Sequence, residues 1–355
     1  MPEQARLDSV DALRGLTVAA MLLVNDAGDW GHVYAPLEHA AWHGCTPTDL
    51  VFPFFLFIVG VSVSLSLGSR VEAGADAAAL RRSVWVRALR IVLLGLALHA
   101  VAHWAMGTRA FRPFGVLQRI GLCFAAAGLL VIHTRPRTQW WLIGLTLLGY
   151  WWLLLWGGSL SKEANLASRI DTALLGRFAY EFDPLTGRGH DPEGLLSTWP
   201  AIATTLLGVR AGDWLRRGLT PRLWQAGLAA LAAGALWSTV LPFNKQLWTS
   251  SYVLWSGGWA CLALWAAHLA VDRHGWPPLG RSFGVNAIAA YAGSWLMVCA
   301  LEALGWGRPI YVHGFAWMTP LTGPYLPSLA YALAFVALWG GLMVLLDRRR
   351  IRFKV

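Results

Sequence analysis

Long apolar runs separated by short polar loops set the pattern of this chain from one end to the other. Runs near 20 residues match the hydrocarbon thickness of a bilayer, and they recur along the whole length. They predict ten spans, at roughly residues 10–30, 48–68, 84–104, 114–133, 139–157, 195–214, 223–242, 247–271, 284–305 and 325–347. The expected fold is all-α: a polytopic integral membrane protein of about ten transmembrane helices. The first run follows a charged N-terminus without a small-residue cleavage site, so it is expected to stay as a span rather than leave as a signal peptide. No inverted repeat or low-complexity linker divides the chain, and residues 1–355 read as one membrane domain.

The most polar interruption lies between the first two runs. Asn25, Asp26 and Asp29 close the first, a short loop follows with His32, His39 and His43, and Thr46-Pro47-Thr48-Asp49 opens the second. That opening predicts a helix start, with Thr46 as N-cap, Pro47 at the first position and Asp49 reaching back to free amides. A second polar stretch, the long loop 158–194, carries Asp183, Arg188, His190, Asp191 and Glu193 just before a span and reads as a lid or binding wall.

Composition agrees with the pattern. The chain is 56% hydrophobic and 14% charged, where a soluble domain carries about a quarter charged residues. The net charge of +10 does not point to nucleic acid, because the arginines sit between apolar runs and in the tail. Most of the 29 lysines and arginines fall on one side of a ten-span arrangement, from Arg6 and Arg14 through Arg81, Arg82, Arg87 and Arg90 to Arg348–Arg350, Arg352 and Lys354. Arg109, Arg112, Arg119, Lys162 and a few others fall on the other. The positive-inside rule then makes both termini cytoplasmic and turns the His39 loop, the loop at 105–113, the loop 158–194 and the Asn244 turn outward. In a bacterial cell that face is the periplasm. Most of the 22 tryptophans lie near span ends, as interfacial aromatic belts do. Cys45, Cys123, Cys261 and Cys299 show no metal or redox spacing and read as small packing residues.

Ionisable groups in or beside spans are candidates for function because burying them in lipid is costly. Asp11 and Arg14, three residues apart, read either as an interfacial pair or as an arginine turned to a phosphate from the cytoplasm. Gln118 and Arg119 sit a turn inside the outer face of the fourth run. Histidine is the side chain suited to take a proton from an amine or hydroxyl near neutral pH, with Asp49 or Asp26 to orient the ring of His39. His32 and His43 read as interfacial surface residues, and Asp49 reads equally as a helix cap. His99 and His103 have i,i+4 spacing but neither a third ligand nor a HExxH glutamate, so no metal is expected. P-loop, GxGxxG, GxSxG and CxxC motifs are absent from the sequence.

A series of motifs now narrows the reading. Ser9-Val10-Asp11-Ala12-Leu13-Arg14-Gly15, then Asn25, then the stretch His39–Gly60 closely resemble the heparan-alpha-glucosaminide N-acetyltransferase family and its bacterial relatives of the NagX type. The similarity continues at Gly115–Ile120, Asp191–Thr198, Leu207–Gly212 and Asn244–Val253, and so covers nearly the whole chain. The resemblance implies a transmembrane acyltransferase: acetyl-coenzyme A from the cytoplasm donates its acetyl group to an amino sugar on the far side. It puts the active-site histidine on His39 and the active-site asparagine on Asn25, and it suggests a homodimer in the bacterial inner membrane. The chain begins without the luminal domain and extra first span of the lysosomal enzyme, which favours a small acceptor such as glucosamine.

The mechanism expected on that basis uses His39 as general base, Asn25 as donor to the oxyanion, and Asp49 or Asp26 to set the tautomer. Coenzyme A phosphates are expected near Arg14, Arg87 or Arg90, with Gln118 and Arg119 also on the donor side. Asp26, Asp191 and Glu193 are the acidic candidates for the acceptor amine, and Trp42 for stacking on the sugar. A covalent acetyl-His39 variant stays open. Two rivals remain at this point: a permease for an amino sugar, which broken helices or inverted halves would favour, and an O-acyltransferase of surface glycans.

Overall fold

Helix covers the body of every apolar run in the computed structural model, which describes residues 7–107 and 110–353. Arg6, Arg109 and Lys354, weighed above by charge, lie outside the described residues. The first helices are α1 (Asp8–Asn25), α2 (Val51–Val63), α3 (Ser69–Glu72), α4 (Ala77–Met106), α5 (Val116–His133) and α6 (Pro136–Trp156). The middle of the chain forms α7 (Leu166–Leu175), α8 (Leu195–Arg216), α9 (Pro221–Trp237) and α10 (Ser250–Ala267). The remainder forms α11 (Arg281–Val285), α12 (Ala287–Ala303), α13 (Gly307–Gly314), α14 (Thr319–Thr322) and α15 (Tyr325–Arg348).

Among the described residues, five helical stretches are long and apolar enough to cross a membrane: Thr48–Glu72, Ala77–Met106, Val116–His133, Ser250–Arg273 and Tyr325–Arg348. A sixth joins them if α12 and Gly307–Thr322, bent by 90°, count as one span. The other apolar runs fall short for visible reasons. α1 carries Asp8, Asp11 and Arg14, α8 carries Arg210, Asp213 and Arg216, and α9 has only 17 residues. α6 is long enough, but Trp140, Trp141, Trp151, Trp152 and Trp156 dilute its apolar character with indole N–H groups.

Packing divides the chain into two compact units. The first consists of Met1–His39, Thr46–Phe55 and Ala263–Val355. Its core gathers Val18, Leu22, Phe283, Ala290, Phe335, Trp339 and Met343 from α1, α11, α12 and α15. α1 and α11 approach so closely that a Cβ on Gly15 would lie 2.7 Å from the amide nitrogen of Gly284. Arg281 ties the same helices to α15, bonding Asp8 at 2.9 Å and Asp347 at 3.1 Å.

The second unit consists of Ala40–Cys45 and Leu56–Leu262. Here α2 and α8 cross through glycine: a Cβ on Gly60 would lie 2.8 Å from the amide nitrogen of Val209. Small residues that let helix backbones meet are the usual packing device in lipid, where burial of apolar side chains gains nothing. The loop 158–194 is folded. α7 is capped by the Asn165 side chain, which accepts from the Ser168 amide at 2.8 Å, and β1 (Glu181–Asp183) pairs antiparallel with β2 (Arg188–His190). Thr172 of α7 holds β2 by both backbone groups of Gly189, at 3.0 and 2.8 Å.

Candidate active site

The helix start lies one residue later than read, with Pro47 rather than Thr46 as the cap residue and no side-chain cap bond, and what holds it is the reach of Asp49 back to Thr46. Pro47 precedes a 3₁₀ turn at Thr48–Leu50 that leads into α2. Asp49 Oδ2 accepts from the Thr46 amide at 3.0 Å and from its hydroxyl at 3.1 Å. The single proton of the Thr46 hydroxyl is shared between Asp49 and the nearer carbonyl of Glu38, at 2.7 Å, which fixes the chain just ahead of the histidine. Asp49 Oδ1 lies 2.8 Å from Nδ1 of His39. The carboxylate is 1% exposed while the His39 side chain is 48% exposed. Of the two orienters left open by the sequence, Asp49 is the one bonded to the imidazole. A proton on Nδ1 donated to Asp49 makes Nε2 the basic nitrogen.

Asn25 ends α1 with its side chain exposed, and Asp26 is the cap residue that follows it. The next residues are bound to the start of α15. Ser328 accepts from the Asp29 amide at 3.0 Å and donates back to its carbonyl at 3.0 Å. His32 pairs with Asp29 at 2.7 Å and packs edge-on against Tyr325.

In the second unit a different cluster is buried. Arg112 donates to Asp191 through Nε at 3.0 Å, and its Nη2 reaches both Asp191 and Glu193. Burial opposes the charge on Glu193, but Arg112 and Arg119 outweigh it and hold the carboxyl below its usual range. The Arg112 guanidinium also covers the Tyr180 ring at 4.3 Å. Arg119, fully buried, donates to Ser197 and to the Gly194 carbonyl and lies 5.1 Å from the Trp248 ring. Its Nε and Nη1, and both amide atoms of the buried Gln118, have no hydrogen-bond partner among the described residues. Trp248 takes a left-handed φ of 55°, a strained backbone for a bulky residue, held by an indole bond to Thr204 at 3.0 Å.

Two further groups of the loop titrate abnormally. Asp171 is pushed up to about 7 by burial, against the hydrogen bond it accepts from the Asp191 amide; that bond reaches Oδ2 at 3.1 Å, and Oδ1 has no hydrogen-bond partner among the described residues. His190 is pushed down to about 4 by burial. Its Nδ1 meets the Ser168 hydroxyl at 2.9 Å, and its ring lies edge-on to Trp42 at 5.3 Å. Trp42 is fixed by its indole bond to the Leu160 carbonyl at 2.8 Å, and Asn244 donates to the Trp42 carbonyl at 2.8 Å.

The arginines expected to meet phosphate divide into two kinds. Arg14 is engaged in its own unit, with Asp11 at 2.9 Å and the Gly284 carbonyl at 3.2 Å, so the i,i+3 pair is formed. Arg87 and Arg90 are exposed in the first half of α4, toward its middle, Arg87 lying over the Phe124 ring at 5.1 Å. His99 is tied to the carbonyl of Arg112 at 2.6 Å, and no group of three His, Cys, Asp or Glu among the described residues is placed to hold a metal. The sequence reading passed over Arg112, Asp171 and Trp248. Arg112 was weighed only as charge, and Trp248 lay in a quoted motif without a role.

Residues 6–233, which include Asn25, His39, Asp49, Arg112, Gln118, Arg119, Asp191 and Glu193, match the family model described as heparan-alpha-glucosaminide N-acetyltransferase, catalytic. The human heparan-alpha-glucosaminide N-acetyltransferase is 30% identical over 354 aligned residues, covering 81% of this chain and 52% of the human protein. The mouse protein of that name is also 30% identical, over 353 residues. The chain thus spans about half the length of the curated relatives it matches. On the family-model match and these identities, the chain belongs to the heparan-alpha-glucosaminide N-acetyltransferase family.

Proposed function

We propose that this chain is a transmembrane acetyltransferase that moves the acetyl group of cytoplasmic acetyl-coenzyme A to the amine of a glucosamine-type sugar at the periplasmic face of a bacterial inner membrane. The observation that carries the reading is the His39–Asp49 pair: an accessible imidazole whose Nδ1 is held at 2.8 Å by a buried carboxylate. Family membership supports the reaction class. The same reading takes the chain as one catalytic domain of ten spans, with both termini cytoplasmic and two copies per assembly.

In the reaction, Nε2 of His39 takes the proton of the sugar ammonium, and the neutral amine attacks the thioester carbonyl. The C–N bond forms, Asn25 donates to the developing oxyanion, and the C–S bond then breaks. The proton first taken from the ammonium passes from Nε2 to water; Nε2 then takes a second proton from the nitrogen of the tetrahedral adduct and gives it to the departing thiolate, which leaves a neutral amide. Asp49 holds the tautomer and stabilises the imidazolium, as a buried carboxylate does beside any histidine base. Asp26, next to Asn25, is the acidic group assigned to the acceptor ammonium. Asp191 and Glu193 also bear on the acceptor, within a loop that Arg112 orders, and Trp42 offers its ring to the sugar. Arg87 and Arg90 are assigned to coenzyme A phosphates, as is Arg14 on α1. The orphaned buried atoms of Gln118 and Arg119 fit a donor that brings amide and carbonyl groups of its own, since buried polar groups ordinarily have partners.

The test is transfer of labelled acetyl from acetyl-coenzyme A to glucosamine by purified protein in detergent. Alkali-stable label on the sugar supports amide formation, whereas alkali-labile label assigns the chain to hydroxyl acceptors. No transfer, with free sugar accumulating in wild-type vesicles, overturns the reading in favour of a permease. Rapid quenching without acceptor separates direct transfer from acetyl-His39.

A further inference from the structure

The segment between α12 and α15 differs in kind from the other connections. Gly307–Thr322 leaves α12 at 90°. It then ends two residues before Pro324, which caps the 24-residue span of α15. With α12 taken as the upright span expected at residues 284–305, a segment at 90° to it runs along the bilayer plane. Its two sides are unlike. Inward, Tyr311 and Phe315 pack on Tyr331 of α15, with ring centroids 6.0 and 5.5 Å apart. Outward stand Leu304, Trp306, Ile310, Trp317 at 62% exposure and Leu321 at 79%, together with the polar Arg308 and His313. Tryptophans beside arginine, on a segment parallel to the membrane, are what a headgroup boundary selects: the indole body enters the acyl edge while the N–H and the cation stay wet.

We propose that residues 304–322 form an in-plane platform that binds the lipid headgroup boundary, with Trp306, Trp317 and Leu321 inserted, on the membrane face where α1 ends. The face is fixed by contacts of the first unit alone. A Cβ on Gly28 would lie 2.6 Å from the Tyr311 ring, so the platform rests on the turn after Asn25 and Asp26. The same turn is bonded to Ser328 at the start of α15. Lipid, rather than a second copy, is the occupant because both neighbours of the segment are apolar helices that themselves need lipid around them.

The experiment is nitroxide depth measurement in liposomes of mixed zwitterionic and anionic lipid. Cys45, half-buried, is replaced by serine, and Cys123, Cys261 and Cys299 are buried and do not take the label in folded protein. Single cysteines at positions 306, 317 and 321 are compared with one at 338, on the exposed face of α15, and one at 185, at the 96% exposed tip of the hairpin. Three positions guard against one variant failing to fold. The expected result is an oxygen-to-nickel-chelate collision ratio between those of the two references at all three sites. A ratio equal to the position 338 value means a re-entrant hairpin and overturns the platform. A ratio equal to the position 185 value means an aqueous loop and does the same. Protection from both reagents means a second copy covers the segment, which also overturns it. The readout does not depend on acetyl transfer.

Discussion

His39–Asp49 and His32–Asp29 are the same bond in two settings. Both join Nδ1 to a carboxylate oxygen, at 2.8 and 2.7 Å, and both imidazoles are about half exposed, at 48% and 42%. The carboxylates differ: Asp49 is 1% exposed and Asp29 is 38% exposed. Asp29 also accepts from the Gly31 amide two residues on, a local turn that needs no tertiary structure. Asp49 reaches across ten residues to His39 while its other oxygen is held by Thr46. Water competes for the first pair, and exposed ion pairs contribute about 0–1 kcal/mol. The second pair has one wet partner and one dry one. A charge-assisted bond to a desolvated carboxylate contributes about 1.5–3 kcal/mol, and it keeps the ring in one orientation. A third pair, His268–Asp272, at 2.7 Å, is part-buried on both sides, at 12% and 14% exposure, with Asp272 also accepting from Ser9. The distance is common to all three. Access on one side and burial on the other distinguish His39.

The strongest break of this comparison is removal of the base. His39→Ala is expected to lower acetyl transfer by about 10²–10⁴-fold, the range a general base supplies, with an unchanged thermal unfolding midpoint. Asp49→Asn comes next. It keeps an acceptor for Thr46 but presents an N–H to Nδ1, which forces the wrong tautomer, and transfer is expected to fall by about 10²-fold. Loss of the cap's charge is expected to lower stability by about 1 kcal/mol, seen as a shift in denaturation midpoint.

Asp171 sharpens the rule, because it is buried with one oxygen unpartnered and is pushed up to about 7. A carboxyl with a raised folded pKa binds its proton more tightly folded than unfolded. Stability therefore falls as pH rises from about 4 to about 7, and the whole penalty, a few kcal/mol at most, is present above that. Asp171→Asn is expected to raise the unfolding midpoint over wild type at pH 8 and not at pH 4.5, while transfer changes only a few-fold. His32→Ala, the smallest effect, is expected to leave transfer within about twofold. A large loss there would erase the distinction between dry and wet carboxylates.

How much of this the sequence carries depends on whether the signal is local. The helix start at Thr46–Asp49 was legible to within one residue because its bonds lie within three residues, and the structure places them there. The apolar runs were legible as helices for the same reason. The choice of Asp49 over Asp26 as partner of His39 was not, since it depends on how the loop folds back across ten residues. Arg112 lies 79 and 81 residues from its carboxylates, and no spacing rule connects them. Asp171 sits in an amphipathic stretch where an acid looks ordinary, and only the packing of α7 against the Asp191 turn exposes its cost. Trp248 shows no sign of its strained backbone in sequence, because its conformation is imposed by Thr204 and the buried Arg119.

One comparison tests the central claim most directly: acetyl transfer from labelled acetyl-coenzyme A to glucosamine by wild type, His39→Ala and His32→Ala, at equal folded concentration and pH 7.5. The account predicts transfer by wild type and His32→Ala and loss of at least about 10²-fold in His39→Ala. Near-normal turnover by His39→Ala, or an equal loss in His32→Ala, would contradict it.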